Sequence, residues 1–171
     1  MCGIAGIVHR GGTESVGREM TSMLQAMKHR GPDSTGFALY GAPKSEVLVM
    51  RFKVAEQEEL RSGFDMWERI KANKAAVDGR MEELGALVTD RADATDYAFR
   101  YTFGFDGDLK RLMAYIEDIE GVEVLSLGHA LELVKDLGDA TRVSTQYGLG
   151  SFEGTHAICL LYTSPSPRDR G

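Results

Sequence analysis

The chain has 171 residues, 43% hydrophobic and 27% charged, which is the composition of a globular protein long enough to bury a core. Its net charge of −6 and the absence of any basic cluster argue against nucleic acid or an anionic membrane as the main partner, since both need a basic face. No stretch approaches the length of a membrane span, and no charged leader precedes an apolar run, so the protein is expected in the cytoplasm.

The run Gly3 to Val8 is small and apolar, suited to a buried strand, and Gly11-Gly12 ends it. Val16, Met20, Met23, Leu24 and Met27 recur at helical spacing and predict an amphipathic helix whose methionines pack a core. The helix is expected to stop at His29-Arg30-Gly31-Pro32, where Gly and Pro force a turn. Two β-type runs follow, Phe37–Tyr40 and Val47–Met50, separated by Gly41-Ala42-Pro43 and read as a strand pair.

From about Glu56 the texture changes. Leu60, Phe64, Trp67 and Ile70 fit one helical face, and Met81, Leu84, Leu87 and Val88 fit another. A strand-like run from Tyr97 to Phe103 precedes a helix carrying Leu109, Leu112, Met113 and Ile116, then a short strand over Val122–Leu125. Ala130, Leu133, Val134 and Leu137 predict a last helix, closed by Gly138. Alternating strands and helices predict an inserted α/β subdomain over residues 53–140, with the main domain beginning at 1–52 and resuming at 141–158. The insertion is equally suited to simple packing and to a regulatory role.

The last stretch, Cys159 to Asp169, matches none of the preceding periodicities. It reads as the translation of a widely used transposase sequencing adapter. Genuine coding sequence is therefore expected to stop near Ile158, leaving residues 159–171 as read-through.

Chemistry concentrates at the N-terminus. A cysteine at position two allows the initiator Met1 to be trimmed, leaving a thiol and a free α-amine on one residue. Thiols ordinarily titrate near about 8.5 and α-amines near about 7.7–8.0, so the amine is matched to take the thiol proton, directly or through a water. One residue then supplies both nucleophile and base. Gly3 leaves room for a substrate to approach. The second cysteine, Cys159, is expected to stay reduced with the first, and neither has metal-ligand spacing to another Cys or a His. The four histidines, His9, His29, His129 and His156, are scattered and read as solvated or structural.

The opening Met1-Cys2-Gly3-Ile4-Ala5-Gly6, followed after one helix by His29-Arg30-Gly31-Pro32-Asp33-Ser34-Thr35-Gly36, resembles the class II glutamine amidotransferases, the N-terminal-nucleophile hydrolases. The likeness covers residues 2 to about 52 and is greatest to amidotransferase subunits of glutamate-synthase-type and N-methylglutamate-synthase-type enzymes. Asparagine synthetases share the motif but usually carry a second Asp where this chain has Ser34.

The resemblance implies an α+β fold, a four-layer αββα sandwich that is incomplete here. It implies that Cys2 attacks the glutamine side-chain amide, releasing ammonia for a synthase subunit or domain, and that water then frees glutamate. Arg30, Asp33 and Gly36 would line the glutamine pocket, although Arg30 and Asp33 are equally suited to pair and hold the turn. No cofactor is implied for this chain, because flavin and nucleotide signatures are missing and belong to the partner.

The sequence departs from that family at its end. The Gly-His-Thr-Arg-type segment that anchors the substrate α-carboxylate, the Asn-Gly pair of the oxyanion hole and the Asp that binds the α-amine are missing. Gly154–Ile158 leads up to the first of these. The printed chain is accordingly expected to be an inactive fragment. Two other functions stay open: a partner-binding module, and an N-terminal-Cys amidohydrolase for another amide. Gly138-Asp139 reads as an ordinary helix terminator and not as a substitute oxyanion pair.

Overall fold

The computed structural model describes residues 2–30, 33–42, 46–62 and 64–162. In chain order the elements are β1 (Gly3–Val8), α1 (Val16–Ala26), β2 (Ser34–Tyr40), β3 (Leu48–Lys53), α2 (Phe64–Glu83), β4 (Leu87–Asp93), β5 (Ala98–Gly104), α3 (Leu109–Glu117), β6 (Glu123–Gly128), β7 (Leu131–Leu137), α4 (Ala140–Gln146) and β8 (His156–Tyr162). The fold of the described residues is α+β, with two four-stranded antiparallel sheets ordered β1-β8-β2-β7 and β4-β5-β3-β6. Two compact units divide the chain, residues 1–42 with 133–171, and residues 43–132. No helix among the described residues is long and apolar enough to cross a membrane.

In the first unit, β8 lies between β1 and β2, with Gly3 opposite Leu161 on one side and Ser34 opposite Tyr162 on the other. Period two sorts the side chains: Ala5, Phe37, Leu39, Ala157, Cys159 and Leu161 are buried, while Ile4, Val8 and Ile158 on the opposite face are exposed. Helices α1 and α4 pack on this unit's strands, and Val16, Met20 and Leu24 are the fully buried stripe of α1. The methionine stripe is thus core at Met20 only, since Met23 is 40% exposed. Gly17 permits the close approach of α1 to the chain near Leu149; an added Cβ would sit 1.9 Å from the Leu149 carbonyl oxygen.

The second unit is a βαββαβ fold, β3-α2-β4-β5-α3-β6. Its strand order places the first and third strands at the centre, the arrangement of ferredoxin-like domains. Met50, Phe52, Tyr101 and Phe103 are buried together with Ile70, Val77 and Met81 of α2 and Leu112 and Ile116 of α3. Asp108 caps α3, its carboxylate accepting from the Lys110 and Arg111 amides. Asn73 of α2 donates to the carbonyls of Val54 and Glu120, tying the helix to the strand ends.

Three elements differ from the sequence pattern. The two β runs before and after Gly41-Ala42 are not a pair: β2 joins β8, whereas β3 joins β5 and β6 in the other sheet. Leu87 and Val88 lie on β4, because α2 ends at Glu83 and Gly85 takes a φ of +81° that reverses the chain. The segment predicted as the last helix is strand β7.

Helical spacing in Leu-Glu-Leu-Val-Lys-Asp-Leu loses there to the partners of two acids. Glu132 and Asp136, two and four residues along a strand row with Val134, are all buried, and each acid has a dedicated partner. Glu132 accepts from Arg51 Nε at 2.6 Å and from Arg100 Nε and Nη2 at 2.9 and 2.8 Å. Asp136 accepts from the Tyr147 hydroxyl at 2.6 Å. Burying a carboxylate without such partners is prohibitive, so the strand register follows them.

Candidate active site

Four strand ends meet at one end of the first unit's sheet. Antiparallel pairing brings together the start of β1 after Cys2, the end of β8 at Tyr162, the start of β2 after Asp33 and the end of β7 before Gly138. Cys2 is exposed, immediately ahead of the first ladder residue, Gly3. The strand anchors its backbone while leaving the thiol open to solvent. Cys159 is the opposite case. It is buried on the covered face of β8, and burial pushes its thiol up to about 12 despite the backbone hydrogen bond from Ala38. At neutral pH it is a protonated core side chain, so the two thiols differ in access.

Arg30 ends a short 3-10 turn, Lys28–Arg30, that follows α1. Its Cβ lies 3.5 Å from where a Cβ on Gly3 would stand, an ordinary contact distance that makes Arg30 a neighbour of the start of β1. Asp33 sits at the other end of the same motif. Its amide donates to the Tyr162 carbonyl at 3.3 Å, and its carbonyl accepts from the Gly138 amide at 2.9 Å. The structure therefore brings Arg30 beside β1 and Asp33 beside β7, while β8 runs between them. Gly31 and Pro32 lie outside the described residues. Gly36 is a half-buried ladder residue of β2 facing Leu160 across the sheet, and a Cβ there meets only ordinary contacts.

The sequence reading missed Thr35 and misassigned Gly138. Thr35 is the one polar residue in the buried row Thr35, Phe37, Leu39, and its hydroxyl donates to the Gly138 carbonyl at 2.8 Å. Gly138 does not terminate a helix. It turns strand β7 into helix α4 with a φ of +119°, and Asp139 caps that helix by accepting from the Arg142 amide at 2.9 Å. A polar residue interrupting an apolar strand row was the available signal.

Residues 159–162, the start of the predicted read-through, form the second half of β8, while 163–171 lie outside the described residues. Cys159 and Leu161 alternate with Leu160 and Tyr162, continuing the period that begins at His156. Among the described residues no group of three His, Cys, Asp or Glu side chains is placed to hold a metal ion. The cleft along α1 and α4, lined by Gln25, Asp139, Thr141, Arg142, Thr145 and Gln146, includes none of the predicted site residues.

Fold and site together define an α+β protein with an exposed cysteine leading the first strand of an antiparallel sheet. No family model matches the chain. It is 34% identical over 161 residues to a protein of Methanothermobacter thermautotrophicus named "Putative glutamine amidotransferase", a match covering 92% of this chain and 50% of that protein. It is 28% identical over 160 residues to the "Glutamine amidotransferase-like protein GlxB" of Rhizobium meliloti, covering 92% of this chain and 48% of the relative. The chain spans about half the length of these relatives.

Proposed function

We propose that this chain carries the nucleophile of a class II glutamine amidotransferase with an N-terminal-nucleophile hydrolase fold. The observation that carries the reading is the exposed Cys2 at a sheet end that also gathers both ends of the Arg30–Asp33 segment. Removal of Met1 frees the α-amine, which takes the thiol proton. The sulfur then attacks the side-chain carbonyl carbon of glutamine. Collapse of the tetrahedral species expels ammonia, with the proton returned from the amine, and leaves a glutamyl thioester on Cys2. Water attacks the thioester, releasing glutamate and restoring the thiol. The ammonia passes to a synthase subunit or domain.

The open face of the first sheet supports the layered fold. Ile4 is 70% exposed, Val8 73% and Ile158 49%, a contiguous apolar face of the kind that a second layer covers. We assign that layer, and the groups that anchor glutamine and stabilise the oxyanion, to the half of the relatives outside the match. Loss of even one oxyanion donor lowers turnover by about 10²–10³-fold. The 171-residue chain is therefore expected to release no significant ammonia from glutamine.

The test compares glutamate and ammonia release by this chain with that of the same chain joined to the remaining half of the archaeal relative. The extended protein is expected to hydrolyse glutamine and to lose the activity on Cys2→Ala. An extended, folded protein that leaves glutamine intact while binding a partner equally well with Cys2→Ala would favour a binding module. Preference for another amide would favour a different amidohydrolase. Turnover by the short chain within about tenfold of the extended one would sink the fragment reading.

A further inference from the structure

We propose that the free edge of β4 is a self-recognition surface, pairing antiparallel with β4 of a second copy of this chain about a two-fold axis at Ala92. Strand β4 is an outer strand of the second unit's sheet, and every residue in it except Val88 is exposed.

The backbone decides which residues of β4 meet a partner. At the start of β5, the Tyr97 carbonyl accepts from the Val54 amide at 2.9 Å, and the Ala98 carbonyl accepts from the Ala94 amide at 3.0 Å. Backbone groups alternate along an antiparallel strand, so Phe99 and Tyr101 bond toward β3, and Arg100 and Thr102 toward β4. Opposite these last two lie Ala92 and Asp90, which therefore point inward. Arg91 and Asp93 present their N–H and C=O groups to the open edge. Thr89 is the extra residue of a bulge between Val88 and Asp90, so the regular edge begins at Asp90.

Charge then selects the register. Opposed side chains share a face of the sheet only when the two-fold passes through a residue. An axis at Asp90 or Asp93 sets aspartate against aspartate, and one at Arg91 sets arginine against arginine. An axis at Ala92 sets Arg91 against Asp93 of the second copy, twice, with two small alanines at the centre. The oppositely charged pairs are then also the pairs whose free backbone groups face each other. Helix α2 extends the pattern, since Lys74 donates to Asp93 at 2.8 Å and Arg91 lies 3.5 Å from Asp78. The Arg91 and Asp93 side chains stay 50% and 63% exposed, open to a further partner. Across the axis the row runs Asp78, Arg91, then Asp93 and Lys74 of the second copy, alternating in sign. Charges on an edge strand ordinarily hinder pairing, but here the order of signs matches a second β4 running antiparallel.

Disulfide trapping of the whole chain in a Cys2→Ala background tests the register. Cys159 is fully buried, so an introduced cysteine is the accessible thiol. With the axis at Ala92, the two Cα atoms at that position lie about 4.5–5.5 Å apart, within disulfide reach. The two Asp90 positions are offset by four residues, about 13 Å, and cannot be bridged. Under mild oxidation Ala92→Cys is expected to give about tenfold more linked dimer than Asp90→Cys at equal concentration. Adding either Arg91→Asp or Asp93→Arg to Ala92→Cys opposes like charges and is expected to cut the yield about tenfold. Mixing those two variants restores opposite charges at both pairs, so the linked heterodimer, identified by mass, is expected to return. Its return also shows that each variant kept its fold. Equal linking at positions 90 and 92, or none at 92, would overturn the proposal. So would charge variants that link as well as Ala92→Cys alone, or a mixture that stays unlinked.

Discussion

The two units meet the same physical demand in different ways. The second unit closes its sheet topologically: four strands, two helices, and chain ends brought side by side where Val49 pairs with Gly128. Its helix-facing row is apolar, and the cations Arg51 and Arg100 on the other row share Glu132. The first unit buries only one face of its sheet and leaves Ile4, Val8 and Ile158 exposed on the other. A sheet face is stable in water when it is covered or polar, and here one unit satisfies that rule while the other does not. The contrast locates the self-sufficient part of the chain in the second unit and the dependent part around Cys2.

The strongest way to break this comparison is to separate the units. Residues 43–132 expressed alone are expected to fold cooperatively, followed by the fluorescence of Trp67, the single tryptophan. Residues 1–42 joined to 133–171 by a short linker are expected to aggregate, because the sheet exposes its apolar face and keeps unpaired edges. A soluble, sharply melting first unit beside an unfolded second one would reverse the argument.

Next in size is the buried ion cluster. Arg51 and Glu132 retain 6% and 7% of their side-chain exposure, so Glu132→Gln removes the buried carboxylate that Arg51 and Arg100 share. Breaking such a pair costs about 3–5 kcal/mol, expected here as a loss of urea stability reported by Trp67. Burial raises the Glu132 carboxyl, but hydrogen bonds and charge from Arg100 and Arg51 outweigh it and hold the group below the usual carboxylate range. Its folded value lies below the unfolded one. The stabilisation is therefore full above an ordinary Glu value of about 4.3 and is lost as pH falls through the folded value. Glu132→Gln should flatten the acid limb of the stability curve; an unchanged limb would remove Glu132 as its cause.

A smaller effect sharpens the first unit. Gly17→Ala would drive a Cβ into the Leu149 carbonyl, and overpacking of this kind costs about 1–3 kcal/mol. The loss is expected as faster alkylation of Cys159 in the first unit, with Trp67 in the second unit unmoved. A neutral result would mean that α1 shifts freely off the chain near Leu149.

How much of this was legible in the sequence follows from what each pattern encodes. β1, α1, β5, α3 and β6 were predicted within a few residues, because their apolar residues recur at one clear period and Gly or Pro punctuates their ends. Helix α4 went unpredicted, and its seven residues are too few to establish a helical period. Strand β7 was misread because its burial depends on Arg51, Arg100 and Tyr147, which are distant in sequence or lie on other elements. Pairing of β2 with β8 spans more than a hundred residues, beyond any local turn signal. At the site, Cys2, Arg30 and Asp33 were visible as a motif. The Thr35–Gly138 bond joins residues 103 apart and could be seen only in the fold.

The smallest expected effect bears most directly on the open face. Ile4→Thr with Ile158→Thr keeps β-branched residues at both strand positions and replaces an ethyl group with a hydroxyl at each exposed side chain. Because both side chains face solvent in the 171-residue chain, its stability should change by no more than about 0.5 kcal/mol, while its solubility rises. In the chain extended by the relative's remaining half, the same pair should destabilise the protein measurably, because polar groups would then be buried under the second layer without partners. A large loss already in the short chain would mean that its face is covered, for instance by a second copy, and the contrast between the two units would have to be redrawn. Equal, negligible effects in both proteins would place the second layer elsewhere.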